Sequence, residues 1–155
     1  MVRIMGLDLG KHTGWSFFER NVLKDYGDII VKREPIEFLT TLKGLVKKIQ
    51  PQIVVIENIY NRNVKTFRSL AIRIGWAMAI VTLENPATQI IFLYPSFVRR
   101  ILGIRGENIK EEVCKFVNRK YRLNLTFDPN TTDHDKADAI ALVLAFLKEK
   151  HDIKK

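Results

Sequence analysis

Val2-Arg3-Ile4-Met5-Gly6-Leu7-Asp8-Leu9-Gly10, with Thr13-Gly14-Trp15-Ser16-Phe17-Phe18 close behind it, decides how this chain begins. An apolar run ending on an acid, a turn punctuated by Gly10 and Gly14, and a second apolar run predict two paired strands. A further run from Val22 to Val31 predicts a third, so the chain opens as three antiparallel strands on short connections. Asp8 stands out against this background, because a carboxylate beside an apolar strand is unfavourable unless something pairs with it. The same pattern returns in Gln52-Ile53-Val54-Val55-Ile56-Glu57, where a fully apolar strand again ends on an acid.

Between and beyond these strands the period changes. Ile36, Leu39, Leu42, Leu45, Val46 and Ile49 repeat near 3.6 residues between Pro35 and Pro51, which predicts a helix. A long helix is predicted from Val64 to Leu83, with Phe67, Leu70, Ile74, Met78 and Val81 on one face, and Asn85-Pro86 ends it. Gln89 to Tyr94 reads as a strand, Pro95 to Ile101 as a short helix, Asn108 to Tyr121 as a helix, and Asp133 to Lys148 as the last helix. The expected fold class is therefore α/β: a mixed sheet, three antiparallel strands and then parallel ones, flanked by helices. Residues 1–150 are expected to form one domain and 151–155 a basic tail.

The chain has 155 residues, 46% of them hydrophobic, enough for a core without staples. Its single cysteine, Cys114, falls in register with the apolar positions of a helix and reads as core. No secretory leader and no long uninterrupted apolar stretch is evident, so the expectation is a cytoplasmic protein with no membrane association, in the host cytoplasm if phage-encoded. Lys and Arg number 26 against 17 Asp and Glu, a formal charge of +9 that points to a polyanionic partner. Arg62, Lys65, Arg68 and Arg73, then Arg99, Arg100, Arg105 and Lys110, cluster after two of the predicted strands. Such a surface would draw phosphates toward an acidic centre, provided metal neutralises the acids.

Two more acids complete that centre. Asp135 and Asp138, three apart on the last helix, share a face at about 5–6 Å between β-carbons. Asp133 reads instead as a helix-end charge, with Thr132 or Asp133 as the cap. Converging carboxylates suit a hard divalent cation, Mg²⁺ with Mn²⁺ as a substitute. Phosphodiester cleavage needs an activated water, charge relief on the phosphoryl oxygens and stabilisation of the departing oxygen, and two cations about 3.5–4 Å apart meet all three needs.

Asp8-Leu9-Gly10 with Thr13-Gly14-Trp15, Ile56-Glu57-Asn58-Ile59-Tyr60, Pro95-Ser96-Phe97-Val98-Arg99, and Asp135-Lys136-Ala137-Asp138-Ala139 together resemble the RuvC-type Holliday junction resolvases of the ribonuclease H-like fold. The resemblance implies a metal-dependent, structure-selective DNA endonuclease that resolves four-way junctions by paired nicks, with branched DNA as its partner. It implies that Asp8, Glu57, Asp135 and Asp138 are the catalytic, metal-binding residues. It also implies that Tyr60 stacks on bases at the junction centre, and that Arg99 and Lys110 lie against backbone phosphates. Arg62, Lys65, Arg68, Arg100 and Arg105 join them as candidate DNA contacts. A homodimer built on the helix from Val64 to Leu83 is implied as well. The chain departs from bacterial members at Leu9, where proline is typical, in a loop before Thr13 one residue shorter, and around Tyr60 to Lys65.

Two other readings compete. A ribonuclease H-like nuclease of the YqgF type would cut structured RNA. An ATPase of the actin and Hsp70 type shares Gly6-Leu7-Asp8-Leu9-Gly10 as its first phosphate loop, but it needs a second such loop and two lobes.

Overall fold

The computed structural model describes residues 2–59 and 63–152; Tyr60 and Arg62, singled out above, lie outside the described residues. Strands β1 (Arg3–Asp8), β2 (Thr13–Glu19) and β3 (Val22–Ile29) are followed by helix α1 (Ile36–Ile49) and strand β4 (Ile53–Glu57). Helix α2 (Val64–Glu84), strand β5 (Gln89–Leu93) and helices α3 (Pro95–Leu102), α4 (Ile109–Tyr121) and α5 (Asp133–Asp152) complete the order. The five strands form one sheet in the order β3-β2-β1-β4-β5. β1 pairs with β2 and β2 with β3 antiparallel, while β1 with β4 and β4 with β5 run parallel. The β2–β3 connection is two residues long because Arg20 and Asn21 both take positive φ, 52° and 63°, the turn whose twist matches a hairpin.

Period-two alternation divides the sheet's faces. Met5, Leu7, Val54 and Ile56 point to one side, where Phe38, Leu42 and Val46 of α1 and Ala77 and Val81 of α2 cover them. Ile4, Phe18, Ile53 and Val55 point to the other, under α3, α4 and α5. Leu7 pairs with Ile56 across the parallel β1–β4 ladder, so Asp8 and Glu57 end adjacent strands. By the same alternation both acids belong to the face that α5 covers. Cys114 is buried in this second core, where desolvation pushes its thiol up to about 11.

Helix α5 is apolar on every side through its middle: Ala139, Ile140, Ala141, Leu142, Val143, Leu144, Ala145 and Phe146 are all buried. The helix is sandwiched between the strands below and α3 and α4 above, so no face of this stretch is left to solvent. It also continues past Lys148 to Asp152. Lys150 holds its ammonium 4.7 Å from the Phe146 ring centroid, and basic residues in a last turn favour the helix dipole.

Contact between α5 and the strands is main chain on main chain. A β-carbon on Gly6 would collide with the Ala139 carbonyl, and one on Gly14 with the Asp135 carbonyl. Only glycine admits an approach this close. Ser16, between them on the same face, donates its hydroxyl to the Ala139 carbonyl at 2.7 Å. Gly14→Ala is therefore expected to destabilise the fold by about 1–3 kcal/mol, the range for forcing extra atoms into a packed core. A denaturant midpoint equal to that of the unaltered chain would show that the helix does not rest on β2 as described.

Candidate active site

The glycine seat sets the first turns of α5 beside the ends of β1 and β4. Asp8 and Asp135 are buried, at 6% and 7% exposure, while Glu57 and Asp138 are half-buried. The Asp8 and Glu57 carboxyls approach closely enough to share a proton, and the charges of Asp135 and Asp138 act on the same pair. The four acids expected from the sequence thus lie near enough to act on one another's charge: Glu57 borders two clefts, Asp138 lines one of them and Asp8 the other, and Asp135 stands behind them against Asp8.

The proton affinities register the crowding. Burial, then the neighbouring Glu57 and Asp135, raises Asp8 well above the usual carboxylate range. Burial and Asp138 push Glu57 up to about 7, against the opposing pull of Asp8, Lys110 and Arg99. Asp138 is raised well above its ordinary value by burial and Asp8, and Asp135 is raised by burial. Lys110 pulls all four downward, and Arg99 does so for Glu57 and Asp138. Two cations against four carboxylates leave a deficit of positive charge when all the acids are ionised.

Beside the acids the surface opens in two clefts that share Glu57. One, of about 260 Å³, is lined by Glu57, Asp138, Arg99 and Lys110 over an apolar floor that includes Val113 and Leu142. The other, of about 200 Å³, lies between Asp8, Glu57 and the α2 residues Leu70 and Ile74. Arg73 of α2 closes this end: its guanidinium donates to the Gly10 carbonyl at 3.0 Å and pairs with Glu34 at 2.8 Å.

The start of α5 is held by a polar cluster that sequence reasoning missed. Thr132 donates its hydroxyl to Asp28, and Lys136 lies between Asp28 and Asp133, 3.0 Å from the latter. The Asp133 carboxylate accepts from the Thr126 amide and hydroxyl at 3.0 and 3.2 Å. Thr132 or Asp133 was expected as the cap; the Thr132 hydroxyl instead ties the helix to β3 and the Asp133 carboxylate ties it to the preceding loop. The spacing of Asp133 and Lys136, i and i+3, was the one readable sign of this cluster.

The basic candidates divide. Arg99 and Lys110 stand beside the acids. Lys65 and Arg68 are exposed on the first turns of α2, Arg100 is exposed with its guanidinium 5.4 Å from the Phe97 ring centroid, and Arg105 is exposed in the loop before α4. Among the described residues no ion pair ties these four to the acidic group.

Hard oxygen donors, a surplus of negative charge and a buried Asp135 Oδ2 with no hydrogen-bond partner among the described residues together fit a divalent cation. The four acids lie near one another without closing into a chelate: among the described residues, no three His, Cys, Asp or Glu side chains are grouped closely enough to hold one ion. Mutual repulsion opposes closer approach, while Lys110 and Arg99, with His134 and His12 at Asp135, offset only part of the charge.

The model of the family described as crossover junction endodeoxyribonuclease RuvC matches residues 4–146. The chain belongs to the RuvC family. As a RuvC-family chain it is a structure-selective, junction-resolving nuclease, and dependence on divalent metal comes with the family. Among solved structures, Thermus thermophilus RuvC in complex with Holliday junction substrate is similar over 97% of this chain and 96% of its own, at 19% identity and a TM-score of 0.69. The yeast mitochondrial Holliday junction resolvase matches 99% of this chain and 82% of its own, at 13% identity and a TM-score of 0.65. The fowlpox virus resolvase with substrate Holliday junction DNA matches 96% and 98%, at 15% identity and a TM-score of 0.62. These likenesses establish the ribonuclease H-like fold expected from the sequence. No curated protein sequence matches significantly.

Raised carboxyl proton affinities carry a definite pH signature in this RuvC-family chain. A carboxyl held more tightly in the folded state stabilises fully below its unfolded value, about 4, and that stability is lost as pH rises through the folded value. For Glu57 the window therefore runs from about 4 to about 7, and Asp8 and Asp138 act in the same direction. Glu37 and Asp133, whose values are lowered, act oppositely but only below the usual carboxylate range, and His134, lowered by burial, opposes the trend as one group against three. The metal-free protein is thus expected to melt at a lower temperature at pH 8 than at pH 5, and Mg²⁺ is expected to reverse the loss. Thermal melts in chelator at the two pH values measure this; a higher melting temperature at pH 8 without Mg²⁺ would contradict it.

Proposed function

We propose that this chain resolves four-way DNA junctions by symmetric nicking, with Asp8, Glu57, Asp135 and Asp138 holding two divalent cations, Mg²⁺ or in its place Mn²⁺. The observation that carries this reading is the gathering of four acids from β1, β4 and α5, close enough to raise one another's proton affinity beside two clefts that share Glu57, with their charge only partly offset. Bound divalent cations supply activation of water, charge relief on the scissile phosphate and stabilisation of the departing oxygen. The chain's own residues orient and select. Lys110 and Arg99, on the rim of the larger cleft, are placed to hold the phosphates flanking the scissile one. Lys65, Arg68, Arg100 and Arg105 extend the cationic surface along which junction arms would lie, and Tyr60 and Arg62 belong to the same stretch of chain. Glu57, the acid with a value near 7, loses its proton within the working range and so links cation binding to pH.

Paired cleavage calls for two copies. Helix α2 supports a homodimer: Phe67, Ile72 and Met78 are 43%, 44% and 38% exposed, and Gly75 and Ala79 on the same side leave room for a second helix. Its other faces are occupied, with Ala77, Ile80 and Val81 buried and Trp76 packed 5.9 Å from Phe38 by ring centroid. By length and composition α2 could also span a bilayer. Lys65, Arg68 and Arg73 within it, and the Arg73 bonds to Gly10 and Glu34, favour the dimer and a cytoplasmic protein.

The test is a labelled, immobile four-way junction incubated with and without Mg²⁺, with nicks mapped on all four arms, beside flap and RNA duplex substrates. Nicks at symmetry-related positions on two opposing strands, only with divalent metal, are expected. Preferential cutting of RNA would favour the YqgF-type reading.

A further inference from the structure

His134 lies between an acid that braces α5 and an acid of the pocket, and neither role explains how it is placed. Its side chain is 19% exposed, and Nε2 sits 3.2 Å from Asp135 Oδ1. The ring packs edge-on against Phe127, with centroids 6.3 Å apart and planes at 71°. Among the described residues, two buried side-chain atoms have no hydrogen-bond partner, His134 Nδ1 and Asp135 Oδ2. Consecutive residues on a helix diverge in direction, so helix geometry does not impose this contact. The ring has to fold back toward its neighbour, and Phe127 braces it there.

Resting on the reading of Asp135 as a cation ligand, we propose that His134 is a positioning residue for it: the Nε2 hydrogen is donated to Oδ1, which fixes the carboxylate with Oδ2 free for the cation. A neutral imidazole has one N–H, and with Nε2 against a carboxylate oxygen that hydrogen belongs on Nε2. Nδ1 is then a bare acceptor, in keeping with its lack of a partner. The carboxylate is divided in the same way, one oxygen beside the ring nitrogen and the other with no partner among the described residues. Buried polar atoms are rarely left unpartnered without a functional reason. A group that orients a ligand in this way typically alters metal affinity or activity by about 10–100-fold when removed.

Two variants separate positioning from packing. His134→Ala removes both ring and donor, while His134→Gln keeps an amide nitrogen that reaches the place of Nε2. Mn²⁺ alone is titrated calorimetrically into the full chain and each variant without DNA, and half-saturating Mn²⁺ for junction cleavage is measured alongside. His134→Ala is expected to weaken Mn²⁺ binding about 10–100-fold with its unfolding midpoint in chelator retained. His134→Gln is expected to recover most of the affinity. Unweakened binding in His134→Ala overturns the proposal, as does a folded His134→Gln that binds as poorly as His134→Ala. If His134→Ala does not fold, His134→Gln decides alone: near-normal binding supports the proposal and weak binding overturns it. Failure of the parent reading looks different, because the unaltered chain would then bind no Mn²⁺, and the role of His134 falls with it.

Discussion

Asp8→Asn is expected to lower junction cleavage by about 10³-fold or more, the equivalent of several kcal/mol of lost charge stabilisation at the scissile phosphate. The change keeps the size of the side chain and removes a charge that burial, Glu57 and Asp135 already disfavour. Junction binding is expected to survive, because phosphate contacts by Lys and Arg dominate affinity and lie outside the substituted group. Removing a carboxylate from a repelling cluster is expected to raise the melting temperature of the metal-free protein at pH 8 as well. Gains in stability with loss of activity are common where a site is held under electrostatic strain. Gel-shift in Ca²⁺, cleavage in Mg²⁺ and melting in chelator together check all three outcomes. Cleavage within tenfold of the unaltered chain would remove Asp8 from the chemistry.

Ile72→Glu combined with Met78→Glu is expected to dissociate the proposed dimer. Each substitution places a charge where an apolar side chain would otherwise meet its copy, and charges buried without partners at an interface are strongly unfavourable. Both positions are exposed, so the fold itself should be little affected. Light scattering should show the mass of two chains for the unaltered protein and of one for the variant. Single nicks should persist while paired resolution falls about tenfold or more, since the second cut would depend on a separate binding event. A variant that remains dimeric would move the interface elsewhere. Coordinated cutting by a strictly monomeric unaltered chain would remove the need for one.

The helix and strand order was legible in the sequence because its signals are local. Alternation at residues 2–8 and 13–18, a period near 3.6 from Ile36 to Ile49, and Pro35, Pro51, Pro86 and Pro95 as punctuation each act within a few residues. Asp8 and Glu57 were legible as site residues because an acid beside an apolar strand contradicts its surroundings. The links between distant elements were not legible. Asp28 is one acid on a half-exposed strand until Thr132 and Lys136 reach it, and Arg73 is one of many cations until its hydrogen bonds to Gly10 and Glu34 are seen. The full burial of α5 escaped for a similar reason: alanines at 137, 139, 141 and 145 give little amphipathic contrast, yet their smallness is what admits elements on both sides.

The seat of α5 on Gly6 and Gly14 bears on how securely the acids are spaced. Peptide units resting on peptide units have no rotamers through which to relax. The interval between the β1 acid and the two acids of α5 therefore behaves as a dimension of the scaffold, insensitive to which aliphatic groups fill the interior. Exchanging leucine for isoleucine elsewhere in the core should leave that interval alone, whereas one methyl group at either glycine would lift the helix and stretch it.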